Sequence, residues 1–491
     1  MKQLAFDLGG SSGKMMLGEF TGDKLHMQLL HRFSNGALSL NGGLYWNTLG
    51  IYQHLCDGIS KATSDGHKIK TIGIDTFSND FGFVDAHGHL TSQVRCYRDA
   101  RTEKWADDIY KVLSREQLHN LTGNQNALFN TVMQLAAMIR DGQEYFFKNG
   151  NTMLLLPDLL GFLLTGEKGA EYSIASVTQM FSFATGDWND DILRAFNIPR
   201  DMLPPVRDAG TILAPLNKQM QNTLGATGAQ VVSVCEHDTA SAVAALPTNE
   251  RDVAFISSGT WSLLGTELNC PIINSDTLAY NFAIEGGAQR SQRLLKNIMG
   301  LWLVQECRRI WAEQGRNYTY AELEQMARAE SEFCSLIDPD HPSFYMPGDM
   351  PQKVIDLCAQ TGQPIPDTDG KIIRCIIESL ALKYRWSLER MQKVTGKSIK
   401  AIYIIGGGGQ DDLLNQCAAN ACGCLVYAGL YEAALCGNVL MQLYALGEIS
   451  NLEQGRELIA RSFELKAFEP KQIELWQEKY QKFIRLFKLE I

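Results

Sequence analysis

Asp7-Leu8-Gly9-Gly10-Ser11-Ser12-Gly13-Lys14 sits between two apolar segments. Residues 3–8 are apolar except Gln3 and Asp7, and residues 15–20 are again strand-like. A third extended segment fits residues 26–33. The Gly-rich turn therefore joins two strands of a meander rather than a strand to a helix. That separates it from the eight-residue P-loop pattern, which opens a helix. Consecutive backbone N–H groups in such a turn suit phosphate oxygens. A carboxylate at the strand's end, Asp7, suits a hydrated Mg²⁺, which takes few protein ligands. The same residues also make a plain Gly hairpin.

The pattern recurs. Residues 252–257 read as a strand, Ser258-Gly259-Thr260 as a turn and residues 261–266 as a strand, echoing residues 3–20 without identity. Farther on, residues 399–405 read as a strand, Gly406-Gly407-Gly408-Gly409 as a sharp turn and residues 411–422 as a helix closed by Gly423. Four glycines carry a large entropy cost, which a close backbone approach to a ligand would justify. A chain of 491 residues exceeds one ordinary core. The Pro-, Asn- and charge-bearing segment 246–251 is the natural boundary, giving domains 1–245 and 246–491. Helical periodicity covers residues 50–65, most of 102–165, 297–314, 319–331, 369–395 and 472–489. Strands fit residues 70–75, 81–85, 210–214 and 230–234.

Glu236-His237-Asp238-Thr239-Ala240-Ser241-Ala242 follows a short apolar run. A buried strand would deliver His237, Asp238 and Thr239 to a turn, with a helix starting on Thr239. A carboxylate there is placed to take a proton beside an anion site; Asp238 or Thr239 would equally serve as a helix cap. Residues 74–80 and 97–101 put polar groups just after apolar strands. They suit a polyhydroxylated molecule or an ordinary solvated loop.

Composition narrows the classes. The formal charge is −10, which argues against a general nucleic-acid binder. No secretory signal and no membrane-spanning apolar run is evident, so a cytoplasmic protein is expected. The 12 cysteines are scattered and read as buried hydrophobes. Cys417, Cys422 and Cys424 lack a second ligand pair for zinc. Sequence leaves a Cys358–Cys375 pairing open.

Together these features resemble the two-domain α/β actin-like (ribonuclease-H-like) ATPase fold, whose catalytic cleft lies between domains. Within it the chain is similar to the FGGY carbohydrate kinases, and most of all to their branch acting on L-rhamnulose. The resemblance rests on Phe33-Ser34-Asn35-Gly36, Asp75-Thr76, Tyr97-Arg98-Asp99, the run 237–243, Ser257-Ser258-Gly259-Thr260-Trp261-Ser262-Leu263, Glu285-Gly286-Gly287, the block 295–302 and Ile405-Gly406-Gly407-Gly408. It implies ATP-dependent phosphorylation of the C1 hydroxyl of a deoxyketose, L-rhamnulose first, with L-fuculose as the rival. Gly10, Ser11, Ser12, Gly13, Lys14, Thr260, Gln305 and Gly407 would bind ATP. Ser78, His237, Asp238, Thr239 and Asn297 would contact the sugar. Asp238 would be the general base, and Asp7 would sit near Mg²⁺. A homodimer stays open, and no nucleic-acid or membrane partner is implied. The chain departs from the family pattern at Phe77-Ser78-Asn79-Asp80-Phe81, where Trp-Gly-Val-Asp-Phe is common, and at Lys14, where Arg is common. Two other classes compete. A non-catalytic sensor would bind without releasing ADP, and a chaperone- or filament-like ATPase would hydrolyse ATP without sugar.

Overall fold

The computed structural model of the protein describes residues 1–148 and 150–489. The chain forms two compact units. The first comprises Met1–Asn249, Glu267–Leu294 and Ala433–Ser462; the second comprises Glu250–Thr266, Leu295–Glu432 and Phe463–Ile491.

The first unit is built on a six-stranded sheet. Its strands are β1 (Lys2–Leu8), β2 (Ser12–Phe20), β3 (Leu25–Ser34), β4 (Ile69–Thr76), β5 (Thr211–Pro215) and β6 (Gln230–Ser233), ordered β5-β6-β4-β1-β2-β3. The meander is present: β1, β2 and β3 pair antiparallel in succession. The strand β4 runs parallel to β1, and β6 parallel to β4. Parallel strands covered on both faces read as nearly continuous apolar runs, as Leu4, Phe6, Ile72 and Ile74 do here, all buried. The helix α1 (Thr48–Ser64) lays Ile51, Leu55 and Ile59 into that core. Each such side chain contributes roughly 1.5–3 kcal/mol when fully buried. From late in the chain comes another helix of this unit, Ala433–Ala445. There Gln442 donates to the Leu4 carbonyl at 2.9 Å, and Asn438 donates to Asp75 at 2.6 Å.

The second unit repeats the plan. The strands β7 (Val253–Ser258) and β8 (Trp261–Leu268) form an antiparallel hairpin. Next to β7 lies the parallel strand β9 (Ala401–Ile405), then the parallel β10 (Leu425–Ala428), then the antiparallel edge β11 (Lys466–Phe468). Helices follow the sequence pattern where caps are clear. Thr319 and Glu322 form a capping box ahead of Tyr320–Ala329. The helix Asp369–Thr395 ends at Gly396 in the left-handed conformation, and Asp412–Cys422 ends likewise at Gly423.

Two expectations fail. Residues 297–314 are not one helix: Gln292–Met299 is a strand and the helix is Trp302–Glu313. Gly300 divides them, because its backbone lies against that of Trp261, and a Cβ there would stand 2.6 Å from the Trp261 carbonyl carbon. Residues 102–165 are interrupted by a strand, Thr152–Leu155, which pairs with Phe81–Val84. Its apolar run is too short to show a period. The Cys358 and Cys375 thiols lie within hydrogen-bonding reach of each other without a disulfide.

Candidate active site

In the first unit three strand ends are laced together. The Phe77 N–H donates to the Leu8 carbonyl at 3.2 Å, and the Thr76 N–H donates to the Glu236 carbonyl at 2.9 Å. These bonds bring Asp7, Asp75, Ser78 and the triplet His237-Asp238-Thr239 to one edge of the sheet. The β1–β2 turn closes through the Gly9 N–H and the Ser12 carbonyl at 2.9 Å. Asn35 braces it, its backbone N–H donating to the Ser11 carbonyl and its amide to the Gly9 carbonyl. Gly10 and Ser11 face solvent, Ser12 and Lys14 are half-buried, and Gly13 is buried. The glycines here do not adopt left-handed φ. Gly13 is required because a Cβ would stand 2.2 Å from the Phe33 ring.

Asp7 and Asp75 are register partners on parallel strands. Asp75 is fully buried, and burial, then the Asp7 charge, hold its pKa well above the usual carboxylate range against the Asn438 amide. Its Oδ1 accepts no hydrogen bond, while its side chain lies within hydrogen-bonding reach of Asp7. Two carboxyls so placed share a proton or a cation, because both cannot ionise at close range. The donor set, hard oxygens with one unsatisfied, fits a divalent cation such as Mg²⁺.

Asp238 opens the helix Asp238–Ala244 instead of preceding it. His237 is the N-cap residue without a side-chain cap bond, so neither cap role proposed for Asp238 or Thr239 is filled. Thr239 instead donates its backbone N–H and its hydroxyl to Asp238 Oδ1. The Asp238 side chain remains 31% exposed, enough to meet a substrate, whereas that of His237 is only 6% exposed. His237 Nε2 faces Asp238 Oδ1 at 3.5 Å and its Nδ1 faces Glu285 Oε2 at 3.3 Å. Burial pushes the Glu285 pKa up, but the hydrogen bond to His237 and the charges of His237 and Arg293 prevail and hold it below the usual range. Arg293, fully buried, pairs with Glu285 at 3.1 Å and donates to the Gly286 carbonyl at 2.8 Å. Behind the triplet, Glu171 accepts the Glu236 N–H at 3.0 Å, and Ser173 accepts the His237 N–H at 3.2 Å. Glu285, Arg293, Glu171 and Ser173 were not among the expected site residues. Each lies dozens of residues from the triplet in the chain, and only the Glu285-Gly286-Gly287 match hinted at one of them.

The polar segments 74–80 and 97–101 are less available than their polarity suggested. Asp80 is fully buried, its Oδ2 accepting from Trp46 Nε1 at 2.5 Å and from the Tyr97 N–H at 3.1 Å. Burial raises its pKa to about 7 against these bonds. Asp99 accepts the Leu44 N–H at 2.7 Å and pairs with Arg95. Both carboxylates tie separate segments of the first unit together. Ser78 is half-buried, receiving the Asn79 amide at 3.1 Å, and Asn79 has φ 76°. Phe77 packs on Trp46 and Tyr97, with centroids 4.7 and 5.8 Å away.

In the second unit, Thr260 Oγ1 donates to Gln305 Oε1 at 3.2 Å. The turn carbonyls of Gly259 and Thr260 accept the N–H groups of Leu301 and Trp302, which fixes the helix Trp302–Glu313 to the hairpin. Gly406 has φ 86°, and a Cβ on Gly408 would stand 2.1 Å from Ser258 Oγ. Those two glycines are demanded by the packing. Gly407 is exposed with open space about its Cα, the condition for a ligand to reach its backbone. Thr260 and Gln305 are thus bonded to each other, while the glycines that flank Gly407 abut Ser258. Asn297, half-buried on a strand rather than a helix, has a buried Oδ1 without a hydrogen-bond donor.

Residues 3–245 match the FGGY family of carbohydrate kinases, N-terminal domain, and residues 254–446 match its C-terminal domain. The chain belongs to the FGGY family of carbohydrate kinases. It is 38% identical over 482 residues to the rhamnulokinase of Bacteroides thetaiotaomicron, covering 98% of each chain. It is 34% identical to that of Bacillus subtilis, covering 96% of each. Among solved structures it resembles a ligand-bound xylulose kinase from Lactobacillus acidophilus (TM-score 0.80, 16% identity, 99% of this chain and 97% of that one). It also resembles Plasmodium falciparum glycerol kinase with ADP (TM-score 0.81, 13% identity, 99% and 97%). The fold is therefore the actin-like one of two FGGY domains, and the protein is a kinase that moves a phosphoryl group from ATP to a sugar. No helix among the described residues is long and apolar enough to cross a membrane.

Proposed function

We propose that this kinase phosphorylates the C1 hydroxyl of L-rhamnulose, giving L-rhamnulose 1-phosphate, with Asp238 as general base. Identity of 34–38% over nearly the whole chain to several rhamnulokinases supports the sugar. The observation that carries the base is the Asp238 side chain: accessible, at the start of the helix Asp238–Ala244, near enough to Asp75 for its charge to be felt there, and facing a His237 that Glu285 and Arg293 brace.

A sugar hydroxyl is a weak nucleophile at neutral pH. Asp238 accepts its proton as the oxygen–phosphorus bond forms, a contribution of about 10²–10⁴-fold for a positioned base. The remaining work is positioning and charge neutralisation. His237, Thr239, Ser78 and Asn297 hold sugar hydroxyls. The N–H groups of residues 10–14, with Lys14, Thr260, Gln305 and Gly407, hold the nucleotide. Mg²⁺, held through Asp7, would neutralise charge on the phosphates. A cytoplasmic location and a sugar–nucleotide pair, with no nucleic-acid or membrane partner and a homodimer left open, complete the reading. L-Fuculose is the competing sugar, since Phe77-Ser78-Asn79 departs from the family pattern at the sugar wall.

The test is ADP release over a panel of ketoses: L-rhamnulose, L-fuculose, L-ribulose and D-xylulose. The highest kcat/KM is expected for L-rhamnulose. A clear preference for another ketose would reject the sugar and leave the kinase standing.

A further inference from the structure

We propose that His31, His54 and Asp57 form a binding site for a zinc-class divalent cation, separate from the nucleotide's Mg²⁺. His31 lies on β3, and His54 and Asp57 lie three residues apart on one face of α1, the helix that covers it. Residues three apart on a helix are neighbours. One donor atom from each of the three lies within 4.8 Å of the others. His31 Nε2 and His54 Nδ1 are 3.2 Å apart. With metal–nitrogen bonds of about 2.0–2.1 Å that spacing subtends roughly 100° at a shared ion, close to tetrahedral. The rings are held in place. His54 stacks on Phe33 with centroids 4.0 Å apart and planes 16° apart, and Phe33 is itself pressed against Gly13. Asp57 Oδ1 accepts from Gln53 Nε2 at 2.8 Å, which steadies the carboxylate.

The charges around the site are mixed. Lys61, one turn beyond Asp57, opposes a cation, and Asp57 favours it. Burial, then the neighbouring His54, lowers the His31 pKa. Two imidazoles and one carboxylate suit zinc, nickel or copper, whereas magnesium takes oxygen ligands and keeps its waters. With three protein ligands, a fourth position falls to water.

Zinc titration calorimetry on the full-length protein tests the site. One Zn²⁺ per chain is expected at a site that His54→Ala and His31→Gln each weaken by roughly tenfold or more. Asp57→Asn changes an exposed position and should weaken it too, without threatening the fold. Ketose phosphorylation with Mg²⁺ and ATP should be unchanged in all three variants, confirming that they fold. Cobalt(II) bound at this site should show a visible d–d spectrum without thiolate charge-transfer bands. Equal zinc uptake by the wild type and all variants, or cobalt spectra dominated by thiolate bands, would overturn the proposal.

Discussion

The two units carry the same strand plan and opposite chemistry. In the first, β1 lies between its antiparallel mate β2 and parallel β4; in the second, β7 lies between antiparallel β8 and parallel β9. At one register position the first unit pairs Asp7 with Asp75, and the second pairs Ser257 with Ile405. One strand end is acidic and the other is neutral and hydroxyl-lined. A repeated frame fixes where backbone turns occur, while the side chains at the strand ends decide what each turn can do. The acidic end suits proton transfer and a cation. The neutral end, with Thr260, Gln305 and open Gly407, suits a polyanion without repelling it.

The sharpest way to break that contrast is to neutralise the acidic end. Asp238→Asn should lower kcat about 10²–10⁴-fold while leaving nucleotide affinity intact, as read by ADP release and by ATP calorimetry. Near-normal turnover would remove Asp238 from the role of base. Next, Asp75→Asn removes the acid that backs Asp7. The Mg²⁺ concentration for half-maximal rate should rise about 10–100-fold, the usual cost of losing an outer-shell partner.

The neutral end offers a graded pair. Gly408→Ala drives a methyl into Ser258 and should cost about 1–3 kcal/mol of stability, as overpacking does, measured by urea unfolding. Gly407→Ala meets open space and should leave stability within about 0.5 kcal/mol while raising KM for ATP. If both glycines behave alike, the distinction between packing and ligand approach fails.

The smallest expected effect concerns pH. Burial raises Asp80 in the first unit and Glu378 in the second to about 7. A raised carboxyl keeps its proton in the native state after the unfolded chain has released it. Stability therefore falls as pH rises from about 4 toward 7 and levels off above. Asp80→Asn mimics the neutral acid, so it should flatten that slope in urea titrations at several pH values. An unchanged slope would mean that Asp80 ionises freely in the native protein.

Much of this was legible in sequence because it is local. The β1–β2 and β7–β8 hairpins and the helix stop at Gly423 each rest on a few adjacent residues. The strand Gln292–Met299 was hidden because apolar residues at 294, 295, 298, 301 and 302 also fit a helical period, and tertiary pairing decides between them. The acids at 80 and 99 looked like ligand groups because loops are normally polar, yet they tie neighbouring segments together, Asp80 through Trp46 and the Tyr97 N–H and Asp99 through the Leu44 and Arg101 N–H groups. The brace of Glu285, Arg293, Glu171 and Ser173 was invisible for another reason. Its members meet only after the sheet edge is assembled, and no spacing in the chain encodes that meeting.

The helix Ala433–Ala445 has a consequence for how the protein is made. Asn438 and Gln442 supply partners to Asp75 and to the Leu4 carbonyl, yet the ribosome adds them more than 180 residues after Asn249. At roughly 5–20 residues per second that is a wait on the order of ten to forty seconds. During that interval the nascent first unit carries an uncovered sheet face, a natural client surface for a chaperone. A fragment ending at Asn249 would inherit the same bare face, so the first unit cannot be harvested as an independent module by cutting the chain there.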